Sequence, residues 1–157
     1  MTKTLFDALQ SIEYTIVASD GKTKIASEQS ANPTISSLVF DSRDVKPGSL
    51  FFALPGTHTS GNVFIPKAIE NGAAAIVFQG DFDESLSLSE NVVFIKVDDA
   101  RKVMAPIAAQ FYDNPSSKLG IIGVTGTEGK SSTVSFVWQL LRLTGHKAGF
   151  ISTVQYS

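Results

Sequence analysis

A glycine-rich segment in the last third of the chain has the residue types that bind nucleotide phosphates. The sequence GVTGTEGKSST occupies residues 123–133 and overlaps an apolar stretch, Leu119 to Val124. Consecutive backbone N–H groups in such a turn, opening onto a helix N-terminus, form a concave anion site. Lysine adds positive charge, and the hydroxyl group after it can hold Mg²⁺. These features together predict an ATP-binding loop.

The pattern matches the standard phosphate loop only in part. In G-x-x-x-x-G-K-[ST] the first glycine stands five residues before the second, but here that position is Val124. The alternative is a tight strand-to-helix turn with a surface lysine. A carboxylate within the loop would also repel phosphate oxygens unless its side chain points outward. The candidate ATP ligands are Gly126, Thr127, Glu128, Gly129, Lys130, Ser131 and Ser132, with Ser131 as the Mg²⁺ ligand.

The elements around this loop are predicted to be strand, loop, helix and strand. We expect a buried strand at Leu119 to Val124, a helix from Ser131 to Thr144 that ends at Gly145, and a strand at Lys147 to Ser152. Such a helix packs on a parallel sheet, so we expect further strands from residues beyond position 157. The apolar stripe that should be buried there consists of Val134, Val137, Trp138 and Leu141.

The part of the chain before this unit alternates short apolar runs with helix-like stretches, which is typical of an α/β layered domain. The predicted strands are Tyr14 to Ala18, Ser36 to Phe40, Ser49 to Leu54, Ala73 to Phe78 and Val92 to Val97. We expect a short amphipathic helix at the N-terminus, and a second over Phe64 to Asn71 with Pro66 in its first turn and Gly72 as its left-handed stop. A third should be capped by Asp98 or Asp99 and run toward Tyr112, with Pro106 causing a kink or a late start.

Composition excludes several classes of protein. A chain of 157 residues that is 43% hydrophobic can bury a core without disulfides, and it contains no cysteine. Thirteen basic and fifteen acidic side chains give a net charge of −2, so we expect neither a nucleic-acid partner nor a membrane surface. We expect a cytoplasmic protein, since no secretory signal and no apolar run of about twenty residues is present.

The turn-rich connector DNPSSK, residues 113–118, separates the two parts of the chain. We therefore expect a substrate-binding domain over residues 1–116 and the start of an ATP-binding domain over residues 117–157.

Three linked segments, in this order, resemble the Mur ligases, and most closely the MurE type, which adds the third amino acid to UDP-N-acetylmuramoyl-dipeptide. They are DSRDVKPGSLFFALPGTHTSGNVFIPKAIENGAAAIVF at residues 41–78, QFYDNPSSKLGIIGVTGTEGKSST at 110–133, and GFISTVQYS at 149–157. The resemblance implies an N-terminal domain with a Rossmann-like mixed sheet that holds the UDP end of the substrate. The central domain would begin at the phosphate loop.

The resemblance also implies a site and a reaction. Phe40 and Ser42 would lie against the uridine diphosphate, with Thr57, His58 and Thr59 completing that contact, and residues 126–132 would hold ATP. ATP would phosphorylate the terminal carboxylate of the substrate, and an amine would then attack the acyl phosphate to form an amide. From the residues alone, Ser42 could equally make a turn hydrogen bond to its own backbone, and His58 could be simply exposed.

The sequence departs from the family pattern at several positions. Glu128 replaces the usual asparagine, Ser131 and Ser132 replace threonines, and Ser60 and Gly61 stand where Asp-Gly is usual. The family's remaining Mg²⁺ ligands, its modified lysine and its amino-acid-binding domain would lie beyond position 157, so we expect this chain alone not to catalyse. The resemblance implies a monomeric full-length enzyme, whereas this chain could self-associate through helix 131–144.

Two other functions remain open at this stage. One is a MurF-type ligase, which shares the DSR and phosphate-loop segments; GVTGTEGK together with FYDNPS favours the MurE type. The other is a stand-alone module that binds UDP-sugars and carries a vestigial phosphate loop, which Glu128 and the early stop favour.

Overall fold

The protein forms two compact units in the computed structural model, Met1–Lys118 and Leu119–Ser157. The structure describes residues 1–17, 23–24, 32–56, 60–81 and 91–153. We call the two units the N-terminal unit and the C-terminal unit. Among the described residues, no helix is long and apolar enough to cross a membrane.

The N-terminal unit is built on a six-stranded mixed sheet. Its strands are β2 (Thr15–Val17), β3 (Thr23–Lys24), β5 (Ser37–Val39), β6 (Ser49–Phe52), β7 (Ala75–Phe78) and β8 (Val93–Lys96), in the order β3-β2-β8-β7-β6-β5. From β5 to β8 the strands are parallel, whereas β2 is antiparallel to both β8 and β3. A separate antiparallel pair joins β1 (Lys3–Thr4) to β4 (Thr34–Ile35). The mixed α/β sheet predicted from the sequence is therefore confirmed.

Three helices cover this sheet: α1 (Leu5–Leu9), α2 (Ile65–Glu70) and α3 (Ala100–Phe111). A short 3₁₀ helix, Gly61–Phe64, leads into α2, which has a proline in its first turn. Asp99, rather than Asp98, caps α3 by accepting hydrogen bonds from the N–H groups of Arg101 and Lys102. Because α3 begins at Ala100 and continues through Pro106, the late start that we considered is wrong.

The two faces of the sheet bury separate clusters of apolar side chains. Helices α1 and α3 pack with alternate strand residues, including Leu50 and Phe52, on one face. Helix α2 packs on the other face with intervening residues such as Phe51 and Ile76. Successive side chains of a strand point to opposite faces, so a strand buried on both sides reads as a continuous apolar run. This explains why all four residues of β6 and of β7 are buried.

The C-terminal unit contains helix α4 (Lys130–Leu143), close to the predicted bounds. The predicted strands on either side of it are wrong for the described residues, because 119–124 carries no strand hydrogen bonding and 147–152 has only an isolated bridge residue, Ile151. A strand needs a neighbour to pair with, whereas a helix closes its hydrogen bonds internally. The expected burial of the stripe is also incomplete, since none of the residues of α4 is fully buried.

Candidate substrate and nucleotide sites

The first candidate site lies where the parallel strands end. Strands β5, β6, β7 and β8 all point the same way, so the segments that follow them leave from one edge of the sheet. Phe40 follows β5, residues 53–60 follow β6, Gln79 follows β7, and Asp99 follows β8 after a short turn. In open α/β sheets, ligands bind outside this carboxyl edge.

The turn after β5 is fixed by the side chain of Asp41. Its Oδ1 accepts a hydrogen bond from the backbone N–H of Arg43 at 2.9 Å, and its backbone oxygen accepts one from Asp44 N at 3.0 Å. The guanidinium of Arg43 also pairs with Asp41, with 2.6 Å between Nη2 and Oδ2. Hydrogen bonds from the Arg43 side chain lower the pKa of Asp41 to about 2. The carboxylate is therefore ionised at neutral pH.

The hydroxyl of Ser42 is available to a ligand. Ser42 is only 8% exposed, and its hydroxyl makes no hydrogen bond to any described residue. Among the described residues, every buried side-chain oxygen or nitrogen has a partner, so this hydroxyl must keep some contact with solvent. The alternative hydrogen bond from Ser42 to its own backbone is not present among the described residues, and the side chain of Asp41 accepts the hydrogen bond from the turn backbone instead.

The side chains on either side of Ser42 are exposed. Phe40 has 68% of its surface exposed, although it directly follows a strand, and the Arg43 side chain is 86% exposed. An aromatic ring can cover a planar or apolar ligand group, and a guanidinium can pair with phosphate. The turn thus offers an apolar contact, a hydroxyl and a cation within four consecutive residues, Phe40 to Arg43.

The loop after β6 is held at both ends. Thr57, His58 and Thr59 lie outside the described residues, so the structure does not place their side chains. On one side, Arg101 Nη2 donates to the carbonyl oxygen of Pro55 at 2.8 Å. On the other side, a Cβ on Gly61 would lie 2.3 Å from the carbonyl oxygen of Leu54, so only glycine allows this approach of two backbone segments. The loop therefore has a narrow, fixed base.

Polar residues behind this loop were not predicted from the sequence. Asn62 Nδ2 donates to the carbonyl oxygen of Gln79 at 3.2 Å, and Gln79 Oε1 accepts from the backbone N–H of Ala100 at 2.9 Å. Arg101 likewise acts on Pro55, 46 residues away in the sequence. A polar residue directly after a buried strand, as Gln79 is, was the only available signal. The partners themselves depend on the tertiary fold.

The second candidate site is the glycine-rich loop of the C-terminal unit. Gly126 and Gly129 have φ angles of +151° and +73°, which side-chain-bearing residues rarely adopt. Helix α4 begins directly after Gly129, and no side chain caps it. The first backbone N–H groups of a helix have no partner within the helix. They are therefore free to donate to an anion at this end of α4.

The side chains of the loop are arranged around its own backbone. Lys130 Nζ donates to the carbonyl oxygens of Gly126 at 2.6 Å and Thr127 at 3.1 Å. Within the described chain the hydroxyls of Ser131 and Ser132 make no hydrogen bond, and Glu128 is exposed without an ion pair. The described residues contain no group of three or more acidic or histidine side chains that could hold a metal ion.

This donor set fits a nucleotide phosphate. The open N–H groups at the start of α4 and the ammonium of Lys130 are all hydrogen-bond donors, as phosphate oxygens require. An exposed carboxylate at position 128 can turn toward solvent.

Comparison with known proteins assigns the chain to a family. The family model described as "Mur ligase family, catalytic domain" matches residues 34–112, which include the Asp41–Asp44 turn and the base of the next loop. The chain belongs to the Mur ligase family.

Curated relatives of the chain in this family are named as ligases or synthetases. It is 46% identical to the UDP-N-acetylmuramyl-tripeptide synthetase of Treponema denticola over 157 residues, which is 99% of this chain and 29% of the relative. It is 44% identical over 124 residues to the UDP-N-acetylmuramoyl-L-alanyl-D-glutamate--2,6-diaminopimelate ligase of Phocaeicola vulgatus, covering 79% of this chain and 25% of the relative. The chain thus spans less than a third of the length of either protein.

Solved structures of Mur ligases share the fold. A MurF structure from Acinetobacter baumannii superposes with a TM-score of 0.64 at 19% identity, covering 91% of this chain and 28% of that one. The MurF ligase of Thermotoga maritima, in complex with ADP, gives a TM-score of 0.53 at 27% identity, covering 68% and 23%.

Proposed function

We propose that this chain is the substrate-binding portion, and the beginning of the ATP-binding portion, of a MurE-type ligase of peptidoglycan synthesis. The whole enzyme would add a diamino acid as the third residue of UDP-N-acetylmuramoyl-L-Ala-D-Glu. Residues 1–116 would bind the nucleotide sugar, and residues 117–157 would bind ATP phosphates. The observation that carries this proposal is 46% identity to a UDP-N-acetylmuramyl-tripeptide synthetase along 99% of this chain.

The carboxyl edge of the sheet would bind the uridine diphosphate end of the substrate. Ser42 has an available hydroxyl, and Phe40 presents an exposed ring beside it. Thr57, His58 and Thr59 would complete that contact, since they follow β6 in the sequence and β6 is the neighbour of β5. This proposal is supported by the fixed base of their loop at Gly61 and Pro55.

The glycine-rich loop would bind ATP together with Mg²⁺. Backbone N–H groups of Gly126, Thr127, Glu128 and Gly129 and of the first turn of α4 would donate to phosphate oxygens, and Lys130 would exchange its two loop carbonyls for phosphate. The hydroxyl of Ser131 would supply one oxygen ligand of Mg²⁺, and Ser132 would contact ATP. The relative of known structure with bound ADP, at 27% identity, supports a nucleotide site in this family.

The reaction of the whole enzyme would proceed in two steps. A carboxylate oxygen of the substrate attacks the γ-phosphorus of ATP and releases ADP, and the amino group of the diamino acid then displaces phosphate from the acyl phosphate. In this chain we place binding groups only, and we expect the 157 residues alone not to turn over ATP.

The MurF-type alternative has less support. The MurF structures establish the shared fold, but at 19% and 27% identity they are more distant than the curated MurE-type relatives at 46% and 44%.

Calorimetric titration of the 157-residue protein tests this function. We expect UDP-N-acetylmuramoyl-L-Ala-D-Glu to bind, and Ser42→Ala to weaken that binding without changing binding of Mg-ATP. Lys130→Ala should weaken binding of Mg-ATP without changing binding of the nucleotide sugar.

The MurF alternative predicts tighter binding of the corresponding UDP-muramoyl-tripeptide than of the dipeptide.

Two outcomes would count against the proposal. Absence of nucleotide-sugar binding to a folded protein would remove the substrate assignment. Dipeptide binding with no Mg-ATP binding would favour a stand-alone nucleotide-sugar module.

A further inference from the structure

Asn71 connects the end of helix α2 to the candidate substrate turn. Its backbone N–H is already bonded within the helix end, to Lys67 O at 3.1 Å. Its side chain reaches 29 residues back along the sequence, where Nδ2 donates to the backbone carbonyl oxygen of Ser42 at 2.9 Å. The side-chain amide of Asn71 is therefore hydrogen-bonded to the residue that we place against the substrate.

The Ser42 carbonyl depends on this donor. Within the turn, the hydrogen bonds from Arg43 N and Asp44 N go to the carboxylate and the carbonyl of Asp41. Neither reaches the carbonyl oxygen of Ser42: Asp41 holds the N–H side of the peptide group between Ser42 and Arg43, and Asn71 holds its carbonyl side. Ser42 is nearly buried, at 8% exposure. Leaving its carbonyl without the Asn71 donor would therefore raise the free energy of the folded protein wherever water cannot replace that donor.

The next residue, Gly72, holds the other end of the same connection. Its carbonyl oxygen accepts from Gly48 N at 3.1 Å, and a Cβ added to it would lie 3.1 Å from Cα of Pro47. Its φ of +90° also favours glycine. The pair Asn71–Gly72 thus contacts the β5–β6 connection at Ser42 and again at Pro47 and Gly48. Two attachment points restrict where the turn can move.

We propose that Asn71 is a positioning residue for substrate binding, which fixes the Ser42 peptide so that the hydroxyl and the exposed Phe40 ring face the ligand together. The inference rests on the proposed function of the carboxyl edge. Its effect on binding would pass through the hydrogen bond to Ser42. A binding group held in place before the ligand arrives loses less conformational entropy on binding.

Two substitutions distinguish this role from simple packing. Asn71→Asp keeps the size of the side chain but sets a carboxylate oxygen against the Ser42 carbonyl, whereas Asn71→Ala only removes the donor. We expect the affinity for UDP-N-acetylmuramoyl-L-Ala-D-Glu to fall about tenfold in Asn71→Ala and further in Asn71→Asp. A packing role predicts the opposite order, because aspartate fills the space and alanine leaves it empty.

The measurement is calorimetric titration of the full 157-residue protein, with amide hydrogen exchange as a second readout. Exchange at Arg43 and Asp44 should be faster in both variants, while exchange at Ile76 in β7 stays unchanged. Asn114→Asp is the matched control, because among the described residues the side-chain amide of Asn114 donates to the side chain of Gln110, and its positive φ is one that aspartate tolerates. It should leave affinity unchanged.

Each result has a separate meaning. Normal affinity in folded Asn71→Ala and Asn71→Asp, with the wild type binding, overturns the positioning role and leaves the proposed function intact. Failure of the wild type to bind overturns the proposed function and with it the substrate role of Asn71, and hydrogen exchange then shows only whether Asn71 holds the turn. Should both variants fail to fold, Asn71→Ser is measured in their place, with a loss of affinity expected and normal affinity contradicting the inference.

Discussion

The N-terminal and C-terminal units differ in how they bury apolar side chains. Residues such as Phe51, Phe52 and Phe78 in the N-terminal unit are 1% exposed, whereas Phe136 and Leu143 in α4 are 69% and 85% exposed. None of the described residues from 119 to 153 is fully buried. This difference shows which secondary-structure elements need a neighbouring element in order to form. In the described part of the C-terminal unit helix α4 forms, whereas the apolar segments beside it form no strand and show only the bridge residue Ile151.

The two candidate sites differ in how far along the sequence their stabilising hydrogen bonds reach. The substrate turn is held by Asn71 across 29 residues of sequence, and its neighbouring loop by Arg101 across 46. In the nucleotide loop, by contrast, Lys130 contacts carbonyls three and four residues away. Tertiary structure thus supports the first site, and local sequence shapes the second.

Truncating a core phenylalanine should have the largest effect. We expect Phe52→Ala to lower the free energy of unfolding by about 3–5 kcal/mol, because the ring is fully buried between the sheet and its helices. Phe136→Ala, in the exposed face of α4, should change it by no more than about 0.5 kcal/mol. Urea denaturation followed by circular dichroism measures both. Similar losses in the two variants would contradict the contrast between the units.

Substitution of Gly61 should give the next largest loss of stability, and substitution of Gly120 is its control. Gly61→Ala places a methyl group against the Leu54 backbone and should destabilise by about 1–3 kcal/mol, while also displacing the 55–60 loop and weakening nucleotide-sugar binding. Gly120→Ala meets nothing within 4 Å and should be within about 0.5 kcal/mol of the wild type. Thermal unfolding of both variants tests this, and a stable Gly61→Ala variant with normal binding would show that the loop base tolerates a side chain.

Removing the carboxylate of Glu128 from the nucleotide loop should have a smaller effect, and it should strengthen ligand binding rather than weaken it. We expect Glu128→Gln to tighten Mg-ATP binding about two- to fivefold, since an exposed charge near phosphate contributes little in water. The gain should shrink in high salt. Calorimetry at two salt concentrations measures it. Unchanged or weaker affinity at low salt would mean that the carboxylate lies away from the phosphates.

Breaking the Asp41–Arg43 pair should have the smallest effect. The pKa of Asp41 is lowered from 3.8 to about 2, so the pair stabilises the turn above pH 3.8 and the stabilisation is lost as pH falls through about 2. Arg43→Ala should return the pKa of Asp41 toward 3.8. Carbon-detected NMR titration of the carboxyl groups measures this shift, and the lowered pKa of Asp99, caused chiefly by its hydrogen bond from Lys102 N, serves as the control. An unaltered Asp41 titration would be inconsistent with the ion pair.

Local patterns predicted much of this molecule, and contacts between distant residues account for the rest. Buried strands such as Ala75–Phe78 and the helix after the glycine-rich loop follow from apolar runs, caps and turns. The unpaired segment 119–124 was predicted wrongly, because an apolar run cannot show whether a neighbouring strand is present. Likewise, nothing beside Asn71 in the sequence indicates that its amide bonds to Ser42. Tertiary pairing decides both cases.

Chemical-shift mapping of the 157-residue protein tests the central claim, that the two units carry two different ligand sites. Addition of UDP-N-acetylmuramoyl-L-Ala-D-Glu should shift backbone amide resonances of residues 40–44 and 55–62 and leave those of 123–133 unchanged, and Mg-ATP should do the reverse. Shifts by the nucleotide sugar at 123–133 alone, or at neither segment, would contradict the account.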